Sequence, residues 1–387
     1  MGFHNVFILS VIPNGIKGIE NIPQASARFF NIIETLIGSN LTTLSILNHH
    51  DVSLLRIATA CPLLQHLYVG LDPEPESPTE EDGYHVDNNA TPLLIHLVYL
   101  VLDFKFQFSS RVFPLLQQAP NLRILHFISS SPSDFIPQVM ENNNIDFIQI
   151  MVTCPKIYHL ECHFDDLDYL NLVQDHQTIC NNDRYDGLRR LIYNDDDYVT
   201  SPRSGRVLQL LHHVYSTLTV LKIKQFWCPR YQNSMSTPAW ADLVSVSLPA
   251  LQDFSTEYLN KPDMDAVCIF LKQYQHNVTS SLKSVALHVW SSSFNDHLFS
   301  ALFHIYSLIS VKFDVNDVFD RVEVDTWASV PNNVGSFRYL SRNLRTIQIY
   351  GDIRFSGGDS ELRDQYTRRL THTDYTNELS ITYTKIS

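Results

Sequence analysis

The chain is 387 residues long, 44% apolar and 18% charged, with a formal charge of −13 at pH 7. That composition folds instead of staying disordered, and its acidic balance disfavours non-specific binding to nucleic acid or to an acidic membrane surface. Six cysteines with no CxxC pair do not read as a disulfide framework or a zinc ribbon, and are expected as reduced, buried thiols. No run approaches the roughly 20 apolar residues of a membrane span, and "VFILSVI" (6–12) is too short for a secretory signal and lacks a basic flank. A cytoplasmic or nuclear protein is the expectation.

In chain order, "FILSVI" (7–12) reads as a strand and "ASARFFNIIETLIG" (25–38) as a helix. Together they are expected as a cap over residues 1–40. From residue 41 the chain falls into an L-x-x-L-x-L frame. Its first position is Leu41, Leu64, Leu97, Leu122, Ile157, Leu188, Leu218, Leu251, Leu282, Leu308 and Leu344. The third position stays apolar throughout except at Thr256.

At this apolar content about thirty such triplets arise by chance, so the intervening segments carry the argument. Val112, Leu115, Leu116 and Ala119 make one helical stripe, and Val207, Leu210, Leu211 and Val214 a second. Val267, Phe270, Leu271 and Tyr274 make a third, and Leu298, Ala301, Leu302 and Ile305 a fourth. Each is an amphipathic helix with one apolar face. Pro62, Pro120, Pro155 and Pro249 each stand two residues before a triplet, where proline ends a helix and forces an extended entry to the next strand. Strand, helix, proline and strand thus recur in phase. The steps between triplets run from 23 to 36 residues; the short ones match leucine-rich repeats and the long ones carry inserts.

The inserts are polar. Residues 71–91 hold seven acidic residues and no Lys or Arg, which predicts a solvated loop, with Thr79 before Glu80, Glu81 and Asp82 suiting an acidophilic kinase. Residues 193–205 and 226–240 are similar excursions after strands. "DSELRDQYTRRL" from 359 looks helical and "ELSITYTKI" alternates like an edge strand; residues 351–387 are read as a C-terminal cap.

The phrase "CPLLQHLYV" (61–69) returns as "CPKIYHLEC" (154–162), with Cys, Pro, His and Leu at the same offsets. With a helix before it, this phrase resembles the cysteine-containing leucine-rich repeats of F-box proteins. The degenerate repeats and long inserts are similar to the fungal branch of that family. The resemblance covers residues 41–350. It implies an α/β leucine-rich-repeat solenoid, a right-handed horseshoe of about eleven irregular repeats, with a parallel sheet on the concave face and helices on the convex face. It further implies a substrate receptor of a cullin-type ubiquitin ligase. The family's F-box opens on a Leu-Pro phrase and binds the ligase adaptor. No such phrase stands in residues 1–40, so adaptor binding is expected only with an F-box upstream, and a free-standing scaffold is the alternative.

No Walker loop, Rossmann glycine run, HExxH or GxSxG occurs, and twelve glycines are few for a phosphate-cradling enzyme. No catalytic residue, cofactor or metal is assigned. The positions between the leucines face away from the core of such a sheet. They read His66 and Tyr68, Tyr99, His126, then His159, Glu161 and His163, then Arg190, then Lys222 and Lys224. This aromatic, His-rich and then basic series is the expected protein-binding surface. His126, His159, Glu161 and His163 also have the spacing of a strand-borne zinc site, although seventeen histidines cluster readily on any exposed face. A metal protein is therefore the less favoured reading.

Overall fold

The computed structural model describes residues 8–11, 31, 33, 35, 38–49, 54–71, 94–104, 112–129, 150–151, 153–164, 187–195, 211, 214–225, 246–259, 261–275, 277, 279–290, 296–316, 322–323, 343–351, 353–354, 366–372 and 379–386. Two compact units divide the chain, Met1–Leu188 and Arg189–Ser387.

Among the described residues, the first unit carries the strands β1 (Ile8–Val11), β2 (Thr43–His49), β3 (His66–Leu71), β4 (Tyr99–Phe104), β5 (Ile124–Ser129) and β6 (His159–Phe164) and the helices α1 (Leu54–Ala60) and α2 (Val112–Gln117). Each strand pairs in parallel with the next in sequence. In the register, Leu44, Leu67, Leu100, Leu125 and Leu160 lie side by side, and Ile46, Val69, Leu102, Phe127 and Cys162 form the next row.

The second unit begins with β7 (Arg190–Asp195), β8 (Val220–Gln225) and β9 (Asp253–Leu259). Helix α3 (Lys261–Lys272), β10 (Ser284–Trp290), α4 (Asp296–Phe303) and β11 (Ser310–Asn316) follow. After β12 (Val322–Glu323) come β13 (Thr346–Gly351), β14 (Ile353–Arg354), β15 (Tyr366–His372) and β16 (Leu379–Lys385). From β7 to β11 and on to β13 the pairing is again parallel and in chain order. The short β12 and β14 pair apart from this sheet.

The burial follows the triplet frame. Every first and second position of the frame is buried, and at the third only Ile223 is not. Each buried Leu, Ile, Val or Phe of the frame contributes roughly 1.5–3 kcal/mol on removal from water. Phe254 on β9 meets Phe270 on α3 with ring centroids 5.1 Å apart, and Phe270 meets Tyr274 at 5.5 Å. The helix stripe therefore packs on the leucine face of the strands, leaving the opposite face for the intervening residues.

The "CP" phrase is a helix stop and a turn. The Cys61 amide donates to Ile57 O and the Cys154 amide to Ile150 O, closing the last helical turns. Leu64 then donates to Cys61 O, and Ile157 to Cys154 O, both at 3.1 Å. The same turn joins Ala119 to Leu122 and Leu248 to Leu251. Pro62, Pro120, Pro155 and Pro249 occupy its second position, where the ring's fixed φ is pre-set. The Cys154 thiol donates to Leu116 O and Ala119 O at the end of α2, at 3.4 and 3.6 Å. Side chains just before the leucines tie each turn to the one before. Asn121 donates to Ile95 O, Ser281 to Pro249 O and Asn343 to Tyr306 O, each at 2.7 Å.

Two expectations at the C-terminal end are corrected. Residues 366–370 of "DSELRDQYTRRL" are a strand, not a helix, and β16 is not an edge. The sheet order ends β13, β16, β15, with β16 antiparallel to both neighbours, so β15 forms the edge. Leu362, Tyr366 and Leu370 suggested a helical period, but Tyr366, Arg368 and Leu370 also alternate, and pairing with β16 decides between them. Thr367 lies opposite Thr384, and Leu370 opposite Ile381. Of the expected helix at 25–38, the described residues Asn31, Ile33 and Thr35 are helical. Of the stripe at 206–214, Leu211 and Val214 are helical and buried. The inserts at 72–91, 196–205 and 226–240, Thr79 included, and residues 359–365 lie outside the described residues.

Candidate functional site

On the first unit, the residues between the leucines form two registered rows. Thr43, His66, Tyr99, Ile124 and His159 make one row; Ser45, Tyr68, Val101, His126 and Glu161 make the other. Neighbouring strands stand about 4.8 Å apart, so side chains in one row touch.

They do so as a chain of contacts. Thr43 Oγ1 lies 3.5 Å from His66 Nδ1, and the His66 and Tyr99 rings are 6.0 Å apart and tilted by 55°. Tyr99 crosses to the second row, its hydroxyl 3.4 Å from His126 Nδ1 and its ring edge-on to that imidazole at 5.2 Å. The His126 and His159 rings stand 5.0 Å apart at 62°. Glu161 Oε2 lies 3.5 Å from His126 Nε2 and 3.8 Å from His159 Nε2. His126, His159 and Glu161 are only 16%, 14% and 18% exposed at their side chains, so the cluster sits within the sheet surface instead of waving in solvent. Val101, buried and registered beside His126 in the same row, is its apolar neighbour. Burial, reinforced by the Glu161 charge, raises the Tyr99 hydroxyl above its usual pKa, so it stays un-ionised and is able to donate or to accept a hydrogen bond.

The second unit carries its own pattern. Arg190, Val220, Asp253, Ser284, Ser310 and Thr346 form one row; Ile192, Lys222, Ser255, Ala286, Lys312 and Gln348 form the next. Arg190 is half-buried, and its Nε is buried with no hydrogen-bond partner among the described residues. His288 Nδ1 lies 3.8 Å from Asp314 Oδ2, and Lys312 Nζ stands 4.5 Å over the Tyr350 ring.

No protein-family model matches this chain. No curated protein matches it either.

Of the residues expected on this face, the structure joins His66, Tyr99, His126, His159 and Glu161 into one connected cluster. Tyr68 lies beside them in the second row, half-buried. His163 falls within β6 and Lys224 within β8, and their side chains lie outside the described residues. Arg190 and Lys222 head the rows of the second unit. Asp314 and Tyr350 were missed, because they lie one place beyond the L-x-x-L-x-L frame. The signal was present: the outward alternation continues past the third apolar position, through His288, Asp314 and Tyr350, which pair in register.

Among the described residues no helix is long and apolar enough to cross a membrane. The described cysteines Cys61, Cys154, Cys162 and Cys268 are free and buried. Burial pushes Cys61 up to about 11 and Cys154 up to about 12. Such thiols are poor nucleophiles at neutral pH, so they serve the core.

Proposed function

We propose that this chain is a non-catalytic protein-recognition module built on leucine-rich repeats, with the sheet face opposite the helices as its binding surface. The observation that carries the reading is the cluster of aromatic and polar side chains from two adjacent registered rows, His66, Tyr99, His126, His159 and Glu161, held against one another over buried leucines. Pre-ordered Tyr and His side chains lose little freedom on binding, and aromatic and Arg side chains are the usual anchors of interfaces. Arg190, with a buried N–H to offer, supplies an anchor of that kind on the second unit.

The resemblance of the "CP" phrase to F-box repeats favours one partner class, a protein substrate presented to a cullin-type ubiquitin ligase, with adaptor binding supplied by an F-box. The second reading is a scaffold with no ligase link, on the same face.

The test is quantitative affinity purification with the wild-type chain and with Tyr68→Ala/Tyr99→Ala/Arg190→Ala combined, alongside a control at exposed Arg345→Ala. Partners lost in the triple variant and kept in the control support recognition by this face. Equal recovery by all three proteins sinks it. Recovery of a cullin adaptor separates the ligase reading from the scaffold reading.

A further inference from the structure

Two imidazoles and one carboxylate converge on β5 and β6 in a way that an interface does not require. The donor atoms of His126, His159 and Glu161 all lie within 4.8 Å of one another. His126 Nε2 and His159 Nε2 point at the same oxygen, Glu161 Oε2, at 3.5 and 3.8 Å. A tetrahedral zinc ion has Zn–N and Zn–O bonds of about 2.0–2.2 Å, which places its ligand atoms roughly 3.4 Å apart. Both separations are within roughly half an ångström of that value, without any change of strand register.

The far side of the cluster is arranged to match. Tyr99 Oη stands 3.4 Å from His126 Nδ1. An Nδ1–H that donates to this oxygen fixes the tautomer whose Nε2 lone pair faces Glu161. With Nε2 of both histidines unprotonated, two nitrogens and a carboxylate oxygen surround one point, where a cation can meet all three. The mixed nitrogen and oxygen set suits a borderline divalent transition ion, whereas calcium and magnesium take oxygen ligands.

We propose that His126 Nε2, His159 Nε2 and Glu161 Oε2 bind a divalent cation of the zinc type, leaving a fourth coordination position open on the outer face of the sheet. The three ligands come from two adjacent strands of the first unit, in register at His126 and Glu161. Rigid strand positions give the site its geometry, and Tyr99 acts as a positioning residue that does not touch the metal. The site stands independently of the recognition reading. An open fourth position would also accept a His or carboxylate of a docked protein.

The test uses the full chain, stripped with a chelator and titrated with zinc chloride by calorimetry, with cobalt(II) as a spectroscopic probe. Far-UV circular dichroism checks that each variant folds. The expected result is one saturable equivalent for the wild type, accompanied by the visible absorption of tetrahedral cobalt. His126→Gln, His159→Gln and Glu161→Gln each weaken binding at least about tenfold, while His66→Gln and His288→Gln bind as the wild type does. Tyr99→Phe weakens zinc by roughly 10–100-fold and keeps the tetrahedral cobalt spectrum, as the loss of an outer hydrogen bond does. Calcium and magnesium give no binding. A wild type without a saturable equivalent, or triad variants that bind as well as it does, overturns the proposal and leaves ordinary His–Glu contacts.

Discussion

Replacing Thr256 by valine is expected to stabilise the second unit, against the usual direction of core substitutions. Thr256 takes the third triplet place on β9, registered between Ile223 and Leu287, and is 1% exposed. Its Oγ1 has no hydrogen-bond partner among the described residues. A buried hydroxyl without a partner costs roughly 1–3 kcal/mol. Valine keeps the branched shape and the strand preference while removing that cost, so the expected gain is about 1–2 kcal/mol. The four tryptophans, Trp227, Trp240, Trp290 and Trp327, all lie in the sequence of the second unit and none in the first, so their fluorescence is the signal to follow in urea. With a urea slope of about 2 kcal/mol per molar, the midpoint should rise by about 0.5–1 M at unchanged slope. A midpoint that stays put or falls would refute the premise that the hydroxyl is unpaired.

Gly38→Ala is expected to destabilise the first unit by about 2–3 kcal/mol, because a Cβ there meets the Ala60 carbonyl oxygen inside contact distance and Ile33 O at 2.7 Å; hydrogen exchange in α1 reads the loss. Phe270→Ala removes a fully buried ring packed at a 49° tilt against Phe254 and should cost about 3–5 kcal/mol, measured by the same tryptophan signal. Alkylation by iodoacetamide at pH 8 should label none of Cys61, Cys154, Cys162 and Cys268 without denaturant, and rapid labelling of any one refutes its burial. The Cys61 thiol is raised from 9.0 to about 11 by burial, so its contribution is fully present below pH 9.0 and is lost as pH rises through about 11. Stability between pH 9 and 11 should therefore fall less steeply for Cys61→Ala than for the wild type.

The strand frame was readable because its cause is local. A strand alternates, a proline stops a helix, and a leucine two residues later enters the sheet, so Leu64, Leu122, Ile157 and Leu251 could be placed without coordinates. The stretch at 366–372 was not readable, since Tyr366, Arg368 and Leu370 satisfy two periods and only β16, a later partner, chooses between them. The His126 and Glu161 neighbourhood followed from the spacing of the leucine frame, because equal offsets land on equal registers. The Tyr99 to His126 contact did not, as it runs diagonally between rows, where side-chain rotamers and not sequence spacing decide what meets.

Within each unit the parallel strands follow chain order, and this bears on how the protein assembles. Strand pairs such as β4 with β5, or β10 with β11, are joined by segments of a few dozen residues at most, so each pairing closes only a short loop of chain. A nucleus can then form at any adjacent pair and spread outward one strand at a time, as a zipper closes. The long inserts lengthen single closures without altering the register on either side. A chain built this way can acquire or shed loop length at nearly constant folding cost, while the spacing of its leucines stays under tight constraint.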